Sequence, residues 1–361
     1  MKIYRQRLLD YPFLTKWFKS LYVSLGKIAS FTDSIEESDY ILAGIDSSFE
    51  FSWPVFADDN SSYVNSNIHE DEQPLIWGND YFVFSEWKHP LNPVIHRCNW
   101  VQQELDRYLR NLVIVPNKKY IFFWNHPFIN PRKKIFNKYG DNFIIVGTSL
   151  SSHKWQTSED GICFMDESVN GYFGPTYEPF RDISMPTMST VQGELNEKYE
   201  RKYSFSFMGA NSHPLRESLE SLNEFDKAKV RVINSGDAVW RGHSDTKSSD
   251  YVNLLNDSTF TLVPRGDSPY VYRLMEAMKF GSIPIIISDN WALPFSEILD
   301  YRDFSLRVKE DEWQTIPNRI KVLDDWQIKR LQDNVRTVYN KHFSNFDNQI
   351  ETLLKILELR K

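Results

Sequence analysis

Short apolar runs alternate with longer amphipathic stretches along the whole chain, a rhythm that predicts an α/β protein with largely parallel sheets. In the first half, strands are expected at residues 2–4, 40–45, 120–124 and 143–146. In the second half they are expected at 203–208, 230–233, 260–263 and 283–287. Helical spacing marks 12–25, 101–109, 214–222 and 272–279, and 325–359 reads as one or two terminal helices. The least regular stretch, 151–200, holds Gly161, Gly171, Gly174, Pro175, Pro179, Pro186 and Gly193 and few apolar runs. It reads as the passage from one domain to the next. The expected organisation is an N-terminal Rossmann-like domain over 1–192, a C-terminal one over 193–335, and a final helix over 336–361 packing back on the first. A cleft between two such domains is where small ligands usually bind.

Residues 12–28 carry Phe13, Leu14, Trp17, Phe18, Leu21, Tyr22, Leu25 and Ile28 at helical spacing, with Lys16, Lys19 and Lys27 between them. Such a helix lies on a membrane surface or packs on the first sheet; the second is the expectation, so membrane contact is at most peripheral.

Composition narrows the picture. At 361 residues, two domains fit better than one. With 41% hydrophobic residues, sizeable cores are available and wholesale disorder is excluded. No run approaches the roughly 18–20 apolar residues of a membrane span, and the opening residues lack the apolar core of a signal peptide. Cys98 and Cys163 alone cannot build a disulfide framework or a four-thiolate zinc site, so a reducing, cytoplasmic setting is expected. The net charge of −7 argues against nucleic acid as a partner, because phosphate neutralisation needs the opposite sign. A local basic pocket for a small phosphate compound remains compatible with it.

The densest chemistry lies in 260–289. It reads as a strand, a tight loop Pro264-Arg-Gly-Asp-Ser268, a helix and another strand. Gly266 lets backbone approach a ligand, while Asp267 and Ser268 are placed to cap the following helix. The N–H groups at the start of that helix, with Arg265 and Arg273, suit a diphosphate. Glu276, three residues after Arg273, can accept the hydroxyls of a ribose. Taken blandly, these residues are a capped turn and a surface Arg–Glu pair. That alternative explains the cap but not two arginines, a glycine and a glutamate at one strand end. Met208-Gly209-Ala210 after a strand, and Arg216 beyond it, are further candidates for the phosphate pocket, with a plain tight turn the equal alternative. Ser235-Gly236-Asp237, after another strand, could approach the base or ribose but reads more simply as a turn.

This stretch closely resembles the exostosin family of glycosyltransferases (glycosyltransferase family 47). The shared pattern is Pro264, Gly266, Asp267, Arg273, Glu276, Gly281-Ser-Ile-Pro-Ile285, Asp289 and Leu293-Pro-Phe295. Residues 33–45 and Arg181-Asp182-Ile-Ser-Met-Pro186 resemble other family segments, so the likeness spans about 32–300. The resemblance implies a GT-B fold, two Rossmann-like domains with parallel sheets facing a cleft, the first on the acceptor side and the second binding the nucleotide sugar. It further implies inverting transfer of a sugar, UDP-linked by expectation, to a glycan acceptor (including a lipid-linked one) in polysaccharide biosynthesis, with Asp289 beside the donor and no obligatory metal or cofactor. The sequence agrees on the metal, since it has no Asp-x-Asp triplet of the kind that holds a divalent ion. Unlike many family members, the protein is expected to carry no N-terminal membrane anchor.

Inverting transfer needs a general base on the acceptor side. His126, just past a predicted strand end, is the first candidate, then Asp182, then Asp58 and Asp59. A single histidine in such a place is often structural. Trp53, Trp77, Trp87, Trp124 and Trp155 could stack on a sugar, although most aromatics at such positions are core. Two rival functions stand beside this one: a fucosyltransferase-like GT-B enzyme with a GDP-sugar donor, and a non-catalytic sugar- or nucleotide-binding module.

Overall fold

A computed structural model describes residues 1–5, 16–43, 112, 114–124, 142–148, 150–152, 176–187, 189, 191, 193, 197–233, 249–266 and 268–361. The chain forms two units. The first holds Met1–Gly147 and closes with Gly174–Ile183; the second takes in Thr148–Ser152 and Ser184–Lys361. The last crossing from the first unit to the second falls between Ile183 and Ser184, and the terminal helix belongs to the second unit.

In the first sheet, β1 (Lys2–Arg5), β2 (Ser30–Thr32), β3 (Tyr40–Ala43), β4 (Lys119–Trp124), β5 (Phe143–Gly147) and β6 (Ile183–Ser184) line up as β2-β1-β3-β4-β5-β6. The pairs β1–β2, β1–β3, β3–β4 and β4–β5 are all parallel. Every residue of β3 and β5 is buried, the continuous apolar signature of a parallel sheet covered on both faces. Trp124 is core, 5.7 Å from the Phe122 ring in a stacked arrangement, and so is no sugar platform. Helix Lys16–Ile28 turns Leu21, Ser24 and Leu25 inward, which favours packing over a membrane surface.

The second unit carries β7 (Tyr203–Ala210), β8 (Ala228–Ile233), β9 (Ser258–Pro264), β10 (Ile283–Ile287) and β11 (Leu306–Arg307), ordered β11-β10-β9-β7-β8 and parallel throughout. Helices Pro214–Ser218, Ser249–Asn256 and Arg273–Lys279 connect these strands. Two parallel-stranded α/β units are what a GT-B fold requires of its halves. No helix among the described residues is long and apolar enough to cross a membrane.

The terminal helices follow local sequence signals closely. Asp324 and Gln327 form a reciprocal capping box ahead of Asp325–Val338. Asn345 caps Phe346–Leu359, which buries Ile350, Leu353, Ile356 and Leu357 along one stripe. Between them His342 is buried, its Nδ1 2.9 Å from the Thr352 hydroxyl. Burial first, then the charges of Lys341 and Lys355, hold its imidazole below the ordinary value of 6.5. A depressed folded-state pKa favours the neutral ring, so the stabilisation is present above about pH 6.5 and is lost as pH falls through the folded pKa. His342→Gln, which keeps a partner for Thr352, should therefore lose less melting temperature than the parent between pH 7 and pH 5. Parallel pH profiles for the two proteins would remove His342 from the acid response.

Candidate functional site

In order of appearance the strands of the second sheet run 2-1-3-4-5 from one edge, so the order reverses between β7 and β9. In open parallel sheets the carboxyl ends of strands at such a reversal are the usual ligand site, because crossovers leave them on opposite faces. The strands end at Ala210 and Pro264. Most of the donor residues read from the sequence gather at those two ends.

Arg273 opens the helix after β9 and is only 7% exposed. Its Nη2 donates to the Met208 carbonyl at 2.5 Å and its Nε to the Tyr251 hydroxyl at 3.3 Å. The guanidinium lies 4.4 Å from the Phe207 ring centre and 5.6 Å from that of Tyr251. Among the described residues it forms no ion pair with a carboxylate. Gly209 makes room for it: a Cβ there would stand 2.8 Å from Nη2 and 2.9 Å from Nη1. Tyr251 in turn donates a short hydrogen bond to Glu276 Oε2, and Ser189 donates to Oε1 at 3.0 Å. Glu276 is 6% exposed. The phenol thus accepts from the guanidinium and donates to the carboxylate, and burial pushes its pKa far up, so it stays protonated as this relay requires.

Arg216, on the helix after β7, faces the same Phe207 ring at 5.7 Å. It donates to the carbonyls of Arg265 at 2.8 Å and Ala210 at 3.0 Å, lacing the ends of β9 and β7 together. Gly266 clears the way, since a Cβ on it would meet Arg216 Nη2 at 2.8 Å and Ser212 Oγ at 2.9 Å. Arg265 is nearly fully buried, with Nη1 3.9 Å from Glu310 Oε2. Asp289 stands one step further out: it is exposed and exchanges backbone-to-carboxylate hydrogen bonds with Glu310. Burial raises the Glu310 carboxyl above its ordinary value, against the pull of the Asp289 N–H and the Arg265 charge.

Two expectations change. Ser268 does not cap the helix. Its hydroxyl accepts from the Tyr270 N–H at 3.3 Å, and the helix starts only at Arg273, with Tyr272 as an N-cap that makes no side-chain bond. Pro269 and the turn after it separate loop from helix. Asp182 is fully buried, its Oδ1 accepting from Ile145 N at 3.2 Å and its Oδ2 from Glu178 N at 2.8 Å. That carboxylate fastens a loop to β5 and presents no open oxygen to an acceptor. His126, Asp267, Asp58, Asp59, Trp53, Trp77, Trp87, Trp155 and the turn at 235–237 lie outside the described residues. Tyr251, Phe207 and Ser189 were not singled out from sequence. The spacing of Tyr251, Leu254 and Leu255 was a helical signal just ahead of β9, and it was the one available clue.

Gly209→Ala should destabilise the protein by about 1–3 kcal/mol, because the guanidinium it strikes is held by a carbonyl and two rings. In an Arg273→Ala background the same change should cost much less. Additive losses in chemical denaturation would contradict the packing of Arg273 against Gly209.

The sequence model of the Exostosin GT47 domain matches residues 103–323. Among curated proteins, the Exostosin-1 homolog of Caenorhabditis elegans is 26% identical over 81% of this chain and 83% of that protein. Exostosin-1a of Danio rerio is 27% identical over 51% of this chain, and the match spans only 29% of that protein. Among solved structures, a glycosyltransferase from Rickettsia africae aligns over 99% of this chain and 98% of its own, at 12% identity and a TM-score of 0.36, a likeness too distant to bear on function.

Proposed function

This chain belongs to the exostosin family of glycosyltransferases, and from that premise we propose that it moves a sugar from a UDP-linked donor onto a glycan acceptor with inversion at the anomeric carbon. One observation carries the donor half of this reading. Arg273 is a desolvated cation that among the described residues touches no carboxylate directly, placed at the carboxyl ends of the strands where the order of a parallel sheet reverses. A buried guanidinium in that condition favours an anion strongly, and a planar fork of donors matches a diphosphate. Charge building on the leaving diphosphate is then met by Arg273, with Arg216 and Arg265 holding the strand ends that frame it. Gly209 and Gly266 keep the space those guanidiniums fill, and Glu276 sets the Tyr251–Arg273 arrangement and offers acceptor oxygens toward a ribose. We assign no metal to the reaction, a reading supported by the lack of an Asp-x-Asp triplet. With Asp182 fully buried and held by backbone N–H groups, we assign the base role to His126, ahead of Asp58 and Asp59.

The test is a panel of nucleotide sugars incubated with the purified protein, reading free nucleoside diphosphate and melting temperature together. One UDP-sugar should be consumed preferentially, and uridine diphosphate at 100 times its Kd should stabilise the fold by about 2.7 kcal/mol. His126→Ala should keep that stabilisation and lose transfer. Preference for a GDP-sugar would move the enzyme to the fucosyltransferase-like reading. Stabilisation without consumption of any donor would leave a binding module, and neither effect with any nucleotide would end the donor-site assignment.

A further inference from the structure

Two of the helices that carry the site end on one arginine. Arg201, just before β7, directs Nη1 to the carbonyls of Leu255 at 3.4 Å and Asn256 at 2.5 Å, the last residues of helix Ser249–Asn256. The same nitrogen reaches the Phe280 carbonyl at 3.1 Å, and Nη2 reaches that of Gly281 at 3.3 Å, immediately past helix Arg273–Lys279. Gly281 sits at φ +65°, the left-handed turn that ends a helix and leaves its last carbonyls pointing outward. Helix carboxyl ends carry unpaired carbonyls and partial negative charge, so two of them brought together repel. A planar guanidinium with its fork of donors offsets both ends at once, which an ammonium or an amide cannot match. Burial lowers the Arg201 pKa to about 10, so it remains charged at neutral pH.

The first of these helices bears Tyr251, and the second bears Arg273 and Glu276. Apolar packing of Leu254 and Leu255 with Phe280 joins them, and hydrogen bonds hold them through the phenol among the site residues and through Arg201 at their ends. We propose that Arg201 is a positioning residue for the donor site, fixing the two helices against each other so that Tyr251 holds Arg273 and Glu276 in place. It acts without touching the donor. This rests on the reading of Arg273 as the diphosphate ligand.

A merely structural arginine would lower stability and leave the folded protein's affinity intact, so the comparison needs a control matched for stability. Leu353→Ala, in the buried stripe of the last helix, supplies it. Calorimetry well below the melting temperature, with uridine diphosphate and with inorganic pyrophosphate, should show Arg201→Met binding both about tenfold or more weakly than the parent. Donor KM should rise correspondingly while kcat moves by no more than about threefold. Arg201→Lys, which keeps the charge but fewer bonds, should recover part of the loss. Leu353→Ala should lower the melting temperature and leave both affinities within about twofold. Unchanged affinity in Arg201→Met, or an equal loss in Leu353→Ala, would overturn the positioning role. Arg273→Lys run alongside separates the two readings: if it weakens binding and Arg201→Met does not, only the positioning role fails. If neither weakens binding, or the parent binds neither probe, the donor site fails and takes the positioning role with it.

Discussion

Replacing Arg273 by alanine is expected to lower kcat/KM for the nucleotide donor by about 10²- to 10³-fold while moving the melting temperature by only a few degrees. The two halves of this expectation have one origin. In the folded chain the guanidinium is almost completely removed from water, and its partners are a carbonyl, a phenol and two ring faces. Desolvating a cation whose nearest described carboxylate, Glu276, is reached only through the Tyr251 hydroxyl raises the energy of the folded state. The ring contacts return about 0.5–2 kcal/mol each, and alanine gives up both the penalty and the return. The losses and gains therefore nearly cancel for stability. For an incoming diphosphate nothing cancels, because the anion loses the charge and the fork of donors together.

Lysine at the same position sharpens the point. It keeps the charge on a flexible stem but loses the planar fork and the stacking on Phe207, so its donor affinity should fall between arginine and alanine. Initial rates, calorimetry with nucleoside diphosphate and a thermal melt are sufficient. An alanine variant that binds nucleoside diphosphate as the parent does would place Arg273 outside the site.

The longer strands were readable because a strand buried on both faces writes a contiguous apolar signal, as in Ile283–Ile287, where expectation and structure coincide. By contrast β2, β6 and β11, of two or three residues each, are too short to write one. Arg265, Gly266, Arg273 and Glu276 were readable for a related reason: one strand–loop–helix unit brings them close in sequence. Pairings between distant segments stayed hidden. The glycine at 209 could be noticed after a strand, but its purpose depends on a guanidinium 64 residues later along the chain filling the space a Cβ would need. Tyr251 and Arg201 are ordinary in sequence, and the sheet order alone brings them to Arg273 and to the helix ends. Ser268 failed as a cap because the serine satisfies a local turn first and Pro269 follows it, a competition that residue type alone does not resolve. For Asp182, an acidic residue at a predicted domain end looked catalytic; full burial and two backbone N–H bonds make it a fastener.

Glu276→Gln should weaken nucleoside diphosphate binding by about 10- to 100-fold while affecting inorganic pyrophosphate much less, and should also destabilise the fold by about 1–3 kcal/mol. The carboxylate accepts two hydroxyl protons, from Tyr251 on one oxygen and Ser189 on the other. An amide has one carbonyl oxygen, and its NH2 has nothing to offer a donating hydroxyl, so one buried O–H loses its acceptor. That accounts for the stability. Selectivity between probes follows from the Ser189 side. A ribose hydroxyl can replace the serine hydroxyl on Oε1, one O–H for another, whereas pyrophosphate has no such group to present. Ser189→Ala should then leave nucleoside diphosphate affinity unchanged or improved, because the ribose meets no competitor. The Tyr251 side predicts coupling: in a Tyr251→Phe background, Glu276→Gln should cost less stability than in the parent, with an interaction energy of about 0.5–3 kcal/mol. Equal losses for nucleoside diphosphate and pyrophosphate would show that Glu276 works only through Tyr251 and Arg273, and would withdraw it from contact with the ribose.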